Sequence, residues 1–232
     1  MIAIDREFKE RVVTTFRAMK FAFDKSPDEL TVPIYQKGNV VARLRPVHAG
    51  FTPQEVKLLM EWRNQNREAF FTWFTATERG TERWLTEQIL AREDRILFFI
   101  ETLGRIPFGH IGLTNFDFVS KACEVDNVLR GRNEFIRGGM SFALQALVNW
   151  IFTVLGVNLV YLRVFSDNQR ALNFYTRNGF EIVSRVPLRR VEDGDVIRWV
   201  ETEEAGTVFE KYALYLRMES DKYAGIGMES IT

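Results

Sequence analysis

Hydrophobic positions along the 232-residue chain change their spacing repeatedly, and each change marks an element. Phe8, Val12, Phe16 and Met19 recur at helical spacing, which predicts a helix over 5–23 with one apolar stripe. Ser26-Pro27-Asp28 and Pro33 break that pattern. Residues 1–37 therefore read as a helical extension packed on the main domain, with a dimerisation or lid element as the alternative. Val40 to Arg45 alternate like a strand and stop at Pro46, whereas Thr52-Pro53-Gln54-Glu55 is an N-cap followed by a first-turn proline, opening a helix to about Asn66. A second helix is predicted over 81–92. Strands are predicted over 96–101 and 108–113, joined at Gly104 as a hairpin, and over 122–129. Met140, Ala143, Leu144, Leu147, Trp150, Ile151 and Val154 keep the spacing of a buried helix face, and Gly156 ends that helix. A strand over 160–164, a short helix opened by Asn168, a strand from Phe180, a hairpin at Asp193-Gly194 and a last strand over 208–218 complete the pattern.

Hairpins followed by two strand–helix units predict an α/β (α+β mixed) fold, a mixed and mostly antiparallel sheet with helices on both faces. The domain is expected over 38–220, with 221–232 as a flexible tail. No GxGxxG or Walker-type loop occurs, which argues against classical dinucleotide and P-loop sites. Lys and Arg equal Asp and Glu at 31 each, so the broad electrostatic footprint of a nucleic-acid binder is missing. The most apolar run, 142–160, is interrupted by Gln145, Asn149 and Asn158, so no membrane span is expected. A single cysteine, Cys123, and an acidic first stretch without an apolar core suit a cytoplasmic protein.

The most informative segment is Asn168-Gln169-Arg170-Ala171-Leu172-Asn173-Phe174-Tyr175-Thr176-Arg177-Asn178-Gly179-Phe180. It reads as a capped helix ending at Gly179, with Tyr175 one turn earlier and strands on either side. This order resembles the last unit of the GNAT acyl-CoA-dependent N-acetyltransferases. The likeness by element order covers about 40–218. Arg43-Leu44-Arg45-Pro46 and Glu61-Trp62-Arg63-Asn64 look like the opening strand and first helix of the RimJ/RimL-like branch, and 130–144 occupies the place of its pyrophosphate loop. Aligned on Gly138, that loop departs from the family run at Phe135 and Met140. The general character, with the strand end Asp126-Asn127-Val128-Leu129-Arg130-Gly131, is similar to acetyltransferases of nucleotide-linked amino sugars.

The resemblance implies acetyl-CoA as acyl donor, no metal, and a small-molecule amine as acceptor. Transfer would be direct, in a ternary complex. It places Val128, Leu129, Arg130, Arg132, Arg137, Gly138, Gly139, Met140, Asn168 and Phe174 along the cofactor. A helix N-terminus with glycines and arginines suits a pyrophosphate physically, because unpaired N–H groups and the helix dipole face the anion. Tyr175 is the candidate general acid toward the departing thiolate, since a phenol is protonated at neutral pH; a core tyrosine beside Leu172 and Phe174 is the alternative. Asn168 combines helix capping with a cofactor-contacting amide, or only caps. Glu124 and Asp126, two residues apart on one strand face, are the candidate bases, or bind the acceptor ammonium, or sit at a solvated edge. His110, on the preceding strand and placed at the acceptor, is the other candidate base, or a structural histidine. Arg63, Phe71, Trp73 and Phe74 are placed at the acceptor, where aromatic rings stack on a base or sugar; a core-facing loop is the alternative. A protein N-terminal acetyltransferase and a non-catalytic acyl-CoA-binding module are the other functional readings. An edge strand near the C-terminus offers a way to pair across a homodimer.

Overall fold

The computed structural model describes residues 4–24, 27–132, 136–203 and 209–227. Ser26, Phe135 and Val208, each part of a sequence motif or predicted element, lie outside the described residues. In chain order, α1 spans Arg6–Phe21, β1 Val32–Gln36, β2 Asn39–Pro46, α2 Pro53–Gln65 and β3 Thr72–Trp73. Next, α3 spans Glu78–Trp84 and continues as a π-helical stretch over Leu85–Leu90. The hairpin strands β4 and β5 are Ile96–Thr102 and Pro107–Asp117, β6 is Ala122–Arg130, and α4 is Gly139–Trp150, extended by a π turn over Ile151–Leu155. The chain then forms β7 (Leu159–Phe165), α5 (Gln169–Arg177), β8 (Glu181–Asp193), β9 (Val196–Glu201), β10 (Lys211–Glu219) and α6 (Ser220–Gly227). The strands form a mixed, mostly antiparallel sheet flanked by helices, as expected. Contacts divide the chain into two compact units: Met1–Phe51, Trp84–Tyr161 and Met218–Thr232 in the first, Thr52–Arg83 and Leu162–Arg217 in the second.

In the first unit the strand order is β1-β2-β4-β5-β6-β7. Every pairing in it is antiparallel except β6 with β7, which is parallel. Lys37 and Gly38, with φ of 49° and 77°, form the two-residue turn that joins β1 to β2. Pro33, expected as a break, lies inside β1. β1 has a single neighbour, and an edge strand tolerates a residue without an N–H. Residues 32–36 of the predicted extension thus belong to the sheet. The α1 helix starts where Asp5 accepts a hydrogen bond from the Phe8 amide at 2.9 Å. Its apolar stripe is buried: the Phe8 and Phe16 rings lie 6.4 and 5.4 Å from Phe116 of β5. Burying such a ring contributes about 1.5–3 kcal/mol, so α1 is bound tightly to its unit. Residues 221–227, read from sequence as tail, form α6 together with Ser220; the Tyr223 hydroxyl donates to the Gln145 carbonyl at 3.2 Å and its ring meets Phe152 at 5.5 Å.

The second unit contains α2, β3, α5 and the strand order β10-β8-β9-β3, with β7 entering it at Leu162. Thr52 and Glu55 form the predicted capping box of α2. Its core is built on Phe165, Leu188, Trp199 and Ala213, with Phe71, Trp73 and Ile197 packed against them.

At the end of α1, Lys20 is 1% exposed, and its Nζ donates to the Arg92 carbonyl at 2.6 Å. Burial pushes this ammonium down from 10.5 to about 8, although Asp94 and Glu93 pull the other way. Between those two values the unfolded chain binds more protons than the folded one, so stability rises with pH across that window. Denaturant midpoints measured from about 8 to 10.5 should therefore climb in the wild type and climb less in Lys20→Met. Equal slopes in the two proteins would assign the rise to other groups.

Candidate active site

Within the first unit strand β6 pairs on one edge with the parallel strand β7, at Ala122, Cys123 and Glu124. On the other edge His110 stands opposite Leu129 and Gly112 opposite Asp126. Two residues, Asn127 and Val128, thus face the single Ile111, which is a β-bulge. Asn127 has φ of 49°, in the left-handed region that is unfavourable for a side-chain-bearing residue.

Several side chains converge on this bulge. The ring Nδ1 of His110 lies 2.6 Å from the Asn127 carbonyl. A carbonyl only accepts, so Nδ1 carries the proton. Asp126 Oδ2 accepts from Arg95 Nη2 at 2.8 Å and from Asn127 Nδ2 at 2.6 Å. Asp126 Oδ1 is buried without a hydrogen-bond partner. It rests against Gly112, where a Cβ would stand 2.7 Å from it and 2.9 Å from the Ile96 carbonyl. Burial, opposed by Arg95 and reinforced by Glu124, pushes the Asp126 carboxyl up to about 6. Glu124 is 5% exposed and accepts from Asn115 Nδ2 at 2.7 Å. Cys123 is fully buried, and burial together with the Glu124 charge pushes its thiol far up, which leaves it inert as a nucleophile.

The exposed Arg130 ends β6, and the exposed Arg132 and Arg137 follow before the start of α4. Gly138 occupies the N-cap with φ of 80°, and no side chain caps the helix. At Gly139 a Cβ would meet Ile136 and Phe108 at 3.2 Å each, so the glycine pair is required by backbone shape and by packing. Met140 follows, half-buried, with its sulfur near Gly109. An uncapped twelve-residue helix flanked by three arginines fits a pyrophosphate. Among the described residues no group of three His, Cys, Asp or Glu could hold a metal, and no helix is long and apolar enough to cross a membrane.

In the second unit Asn168 caps α5, its Oδ1 accepting from the Ala171 amide at 3.1 Å. The helix turns off through Gly179, φ 89°, as the Phe180 amide donates to the Tyr175 carbonyl. Tyr175 is 7% exposed, with its ring 5.0 Å from Phe174 and 5.9 Å from Phe180. The aromatic segment is held by α2. Arg63 donates to the Thr72 carbonyl at 2.7 Å, and its guanidinium lies 3.6 Å from the Phe70 ring and 5.1 Å from that of Phe74. Burial pushes Arg63 down to about 10, so it stays charged at neutral pH. Asn64 pairs with both the N–H and the carbonyl of Ala76, at 2.8 and 3.0 Å. Phe71 and Trp73 face the core, 4.5 Å from Phe165 and 5.6 Å from Trp199. Beside this segment an open cavity of about 520 Å³ is lined by Asn64, Gln65, Asn66, Arg67, Glu68, Ala69 and Thr75.

A family model described as an acetyltransferase (GNAT) domain matches residues 43–181, from β2 to the first residue of β8. The chain belongs to the GNAT acetyltransferase family. It is an acetyl-CoA-dependent N-acetyltransferase. Solved structures agree on the fold. A nucleotide-linked sugar GNAT, FdhC, in its apo form matches at TM-score 0.61 and 14% identity over 82% of this chain and 92% of that one. A probable GNAT-family acetyltransferase from Chromobacterium violaceum matches at 0.62 and 15%, over 86% and 90%. Spermidine N-acetyltransferase from Vibrio cholerae, in complex with CoA and spermine, matches at 0.60 and 17%, over 80% and 99%. No curated protein sequence matches the chain.

The structure of this GNAT acetyltransferase gathers Glu124, Asp126, Val128, Leu129 and His110 around one bulge. It also brings in Arg95, Asn115 and Asn127, which sequence reasoning had not singled out. Arg95 and Asp126 are 31 positions apart and meet because β4, which Arg95 immediately precedes, and β6 lie in one sheet on either side of β5. The close fit at Gly112 gives a direct test. Gly112→Ala should lower the thermal midpoint by the equivalent of ~1–3 kcal/mol, as overpacking does. An unchanged midpoint in a calorimetric scan would mean that Asp126 does not lie against this glycine.

Proposed function

We propose that this acetyltransferase moves an acetyl group from acetyl-CoA to the amine of a nucleotide-linked amino sugar, by direct transfer in a ternary complex. The single observation that carries the acceptor assignment is the cavity beside the aromatic segment. Of its lining, Gln65, Asn66 and Arg67 suit sugar hydroxyls and a diphosphate, while the Asn64 amide is engaged by Ala76. A polyamine would call for several carboxylates instead. The fold likeness to a nucleotide-linked sugar GNAT supports the same reading.

The roles follow from chemistry. Acetyl-CoA supplies the activated thioester. The α4 N-terminus at Gly138, Gly139 and Met140, with Arg130, Arg132 and Arg137, holds its phosphates. The backbone at Val128 and Leu129 receives the extended arm, and an N–H there hydrogen-bonds the carbonyl under attack. Asn168 and Phe174 flank the cofactor. Tyr175 gives a proton or hydrogen bond to the departing sulfur. Asp126 removes the amine proton, directly or through water. Its value of about 6 leaves it mostly ionised at neutral pH yet still basic. Glu124 lies near enough to raise that value. Arg63 shapes the acceptor side by fixing Phe70 to Phe74.

Free-thiol release measured against nucleotide-linked amino sugars, spermidine and basic N-terminal peptides tests the acceptor. The amino sugars should be preferred by at least ~10-fold in kcat/KM, the size of one or two well-placed hydrogen bonds; a preference for spermidine or peptide would refute the assignment. For the roles, Tyr175→Phe should lower kcat by ~10²-fold while leaving acetyl-CoA affinity unchanged. The wild-type kcat/KM should fall as pH drops through about 6, where Asp126 takes up a proton. Asp126→Asn should remove that limb together with most of the activity. Full turnover in either variant would end the role given to that residue.

A further inference from the structure

Inside a strand, the surroundings hold a left-handed φ at a residue with a side chain. Four features around Asn127, in the β6 bulge, do so. His110 Nδ1 donates to its carbonyl at 2.6 Å. Its own Nδ2 donates to Asp126 Oδ2 at 2.6 Å, and the same oxygen takes Arg95 Nη2 at 2.8 Å. Gly112, opposite Asp126, leaves room for the carboxylate that a Cβ would take away. His110 is 4% exposed and the Arg95 side chain 16%, so neither is a solvated surface group.

We propose that His110 and Arg95 are positioning residues that lock the bulge at Asn127, and through it set the backbone of Val128 and Leu129 against which acyl-CoA binds. The second half of this statement rests on the cofactor placement given under the proposed function. His110 acts on the carbonyl of the bulge, Arg95 on the carboxylate that ties down its side chain. The two reach the bulge from different directions in the chain: His110 from β5, Arg95 from the turn that precedes β4. The charged groups near the Asp126 carboxylate are Arg95, Arg92 and Glu124. Among them Arg95 is hydrogen-bonded to it, whereas Arg92 is engaged by Asp94 at 2.8 Å. Position 110 therefore requires a donor aimed at a carbonyl, which a glutamine side chain supplies and a leucine does not.

The test uses the full chain without ligand, followed by titration with CoA. Amide hydrogen exchange is followed at Leu129 and Arg130, which pair with β5 just past the bulge. Both His110→Leu and Arg95→Met should accelerate exchange there by roughly tenfold or more while leaving Phe98 to Ile100 of β4 unchanged. CoA affinity by calorimetry should weaken ~3–10-fold, and His110→Gln should recover most of both effects. Should His110→Leu fail to fold, the comparison of Arg95→Met with His110→Gln carries the same test. Unchanged exchange past the bulge, a uniform rise over the whole unit, or identical behaviour of His110→Leu and His110→Gln would overturn the lock. Local acceleration with unaltered CoA affinity would support the lock but overturn the placement of acyl-CoA on this backbone.

Discussion

Strand β6 pairs with β5 in a register that slips by one residue between Asp126 and Leu129. Backbone N–H and carbonyl groups are obligatory hydrogen-bonding groups, so those displaced by the slip must find partners elsewhere. The local structure of the first unit follows from this constraint. The bulge at Asn127 turns the backbone, the close approach of Leu129 to Gly109 and of Asp126 to Gly112 excludes any larger residue, and a buried histidine satisfies the displaced carbonyl.

The same unit concentrates charge in places that are usually apolar. Lys20, Glu101, Glu124 and His110 are all buried, and Asp126 is paired with Arg95. Each has a hydrogen-bonded partner, as burial demands: Lys20 on the Arg92 carbonyl, Glu101 on Arg45, Glu124 on Asn115. Such pairs add little net stability compared with apolar packing, because desolvation offsets their attraction. Their effect is to fix geometry. Lys20 connects α1 to the segment that carries Arg92, Asp94 and Arg95, so the N-terminal helix is tied to the chain leading toward the bulge and is more than a packed appendage.

In the second unit rigidity has a different source. Arg63 and Asn64 bind the backbone of the aromatic segment at Thr72 and Ala76, and the rings of Phe70 and Phe74 lie near the guanidinium. Phe71 and Trp73 then pack inward with Phe165 and Trp199. Lys211 lies within 6 Å of three of these rings while pairing with Asp167. Aromatic residues in this loop are thus divided between core and guanidinium stacking, and an acceptor would meet a preformed wall.

Most elements were legible in the sequence because their causes are local. The stripe Phe8, Val12, Phe16 and Met19, the Thr52 capping box, the Asn168 cap with Gly179, and the Gly138-Gly139 start of α4 all express spacing, capping and backbone freedom within a few residues. The exceptions were also local, but ambiguous. Pro33 reads as a breaker until β1 is known to be an edge, and 221–227 reads as a tail until Tyr223 finds Gln145 and Phe152. The family likeness, too, rested on such local motifs. Only the tertiary structure decided the partners of the site residues: that Asp126 belongs to Arg95, that His110 holds the Asn127 carbonyl, that Arg63 serves the Thr72 carbonyl, and that Gly112 exists to admit a carboxylate. Strand register and bulges set those meetings. A one-residue slip exchanges the faces of a strand, and nothing in the order of residues along the chain records where a bulge will absorb that slip.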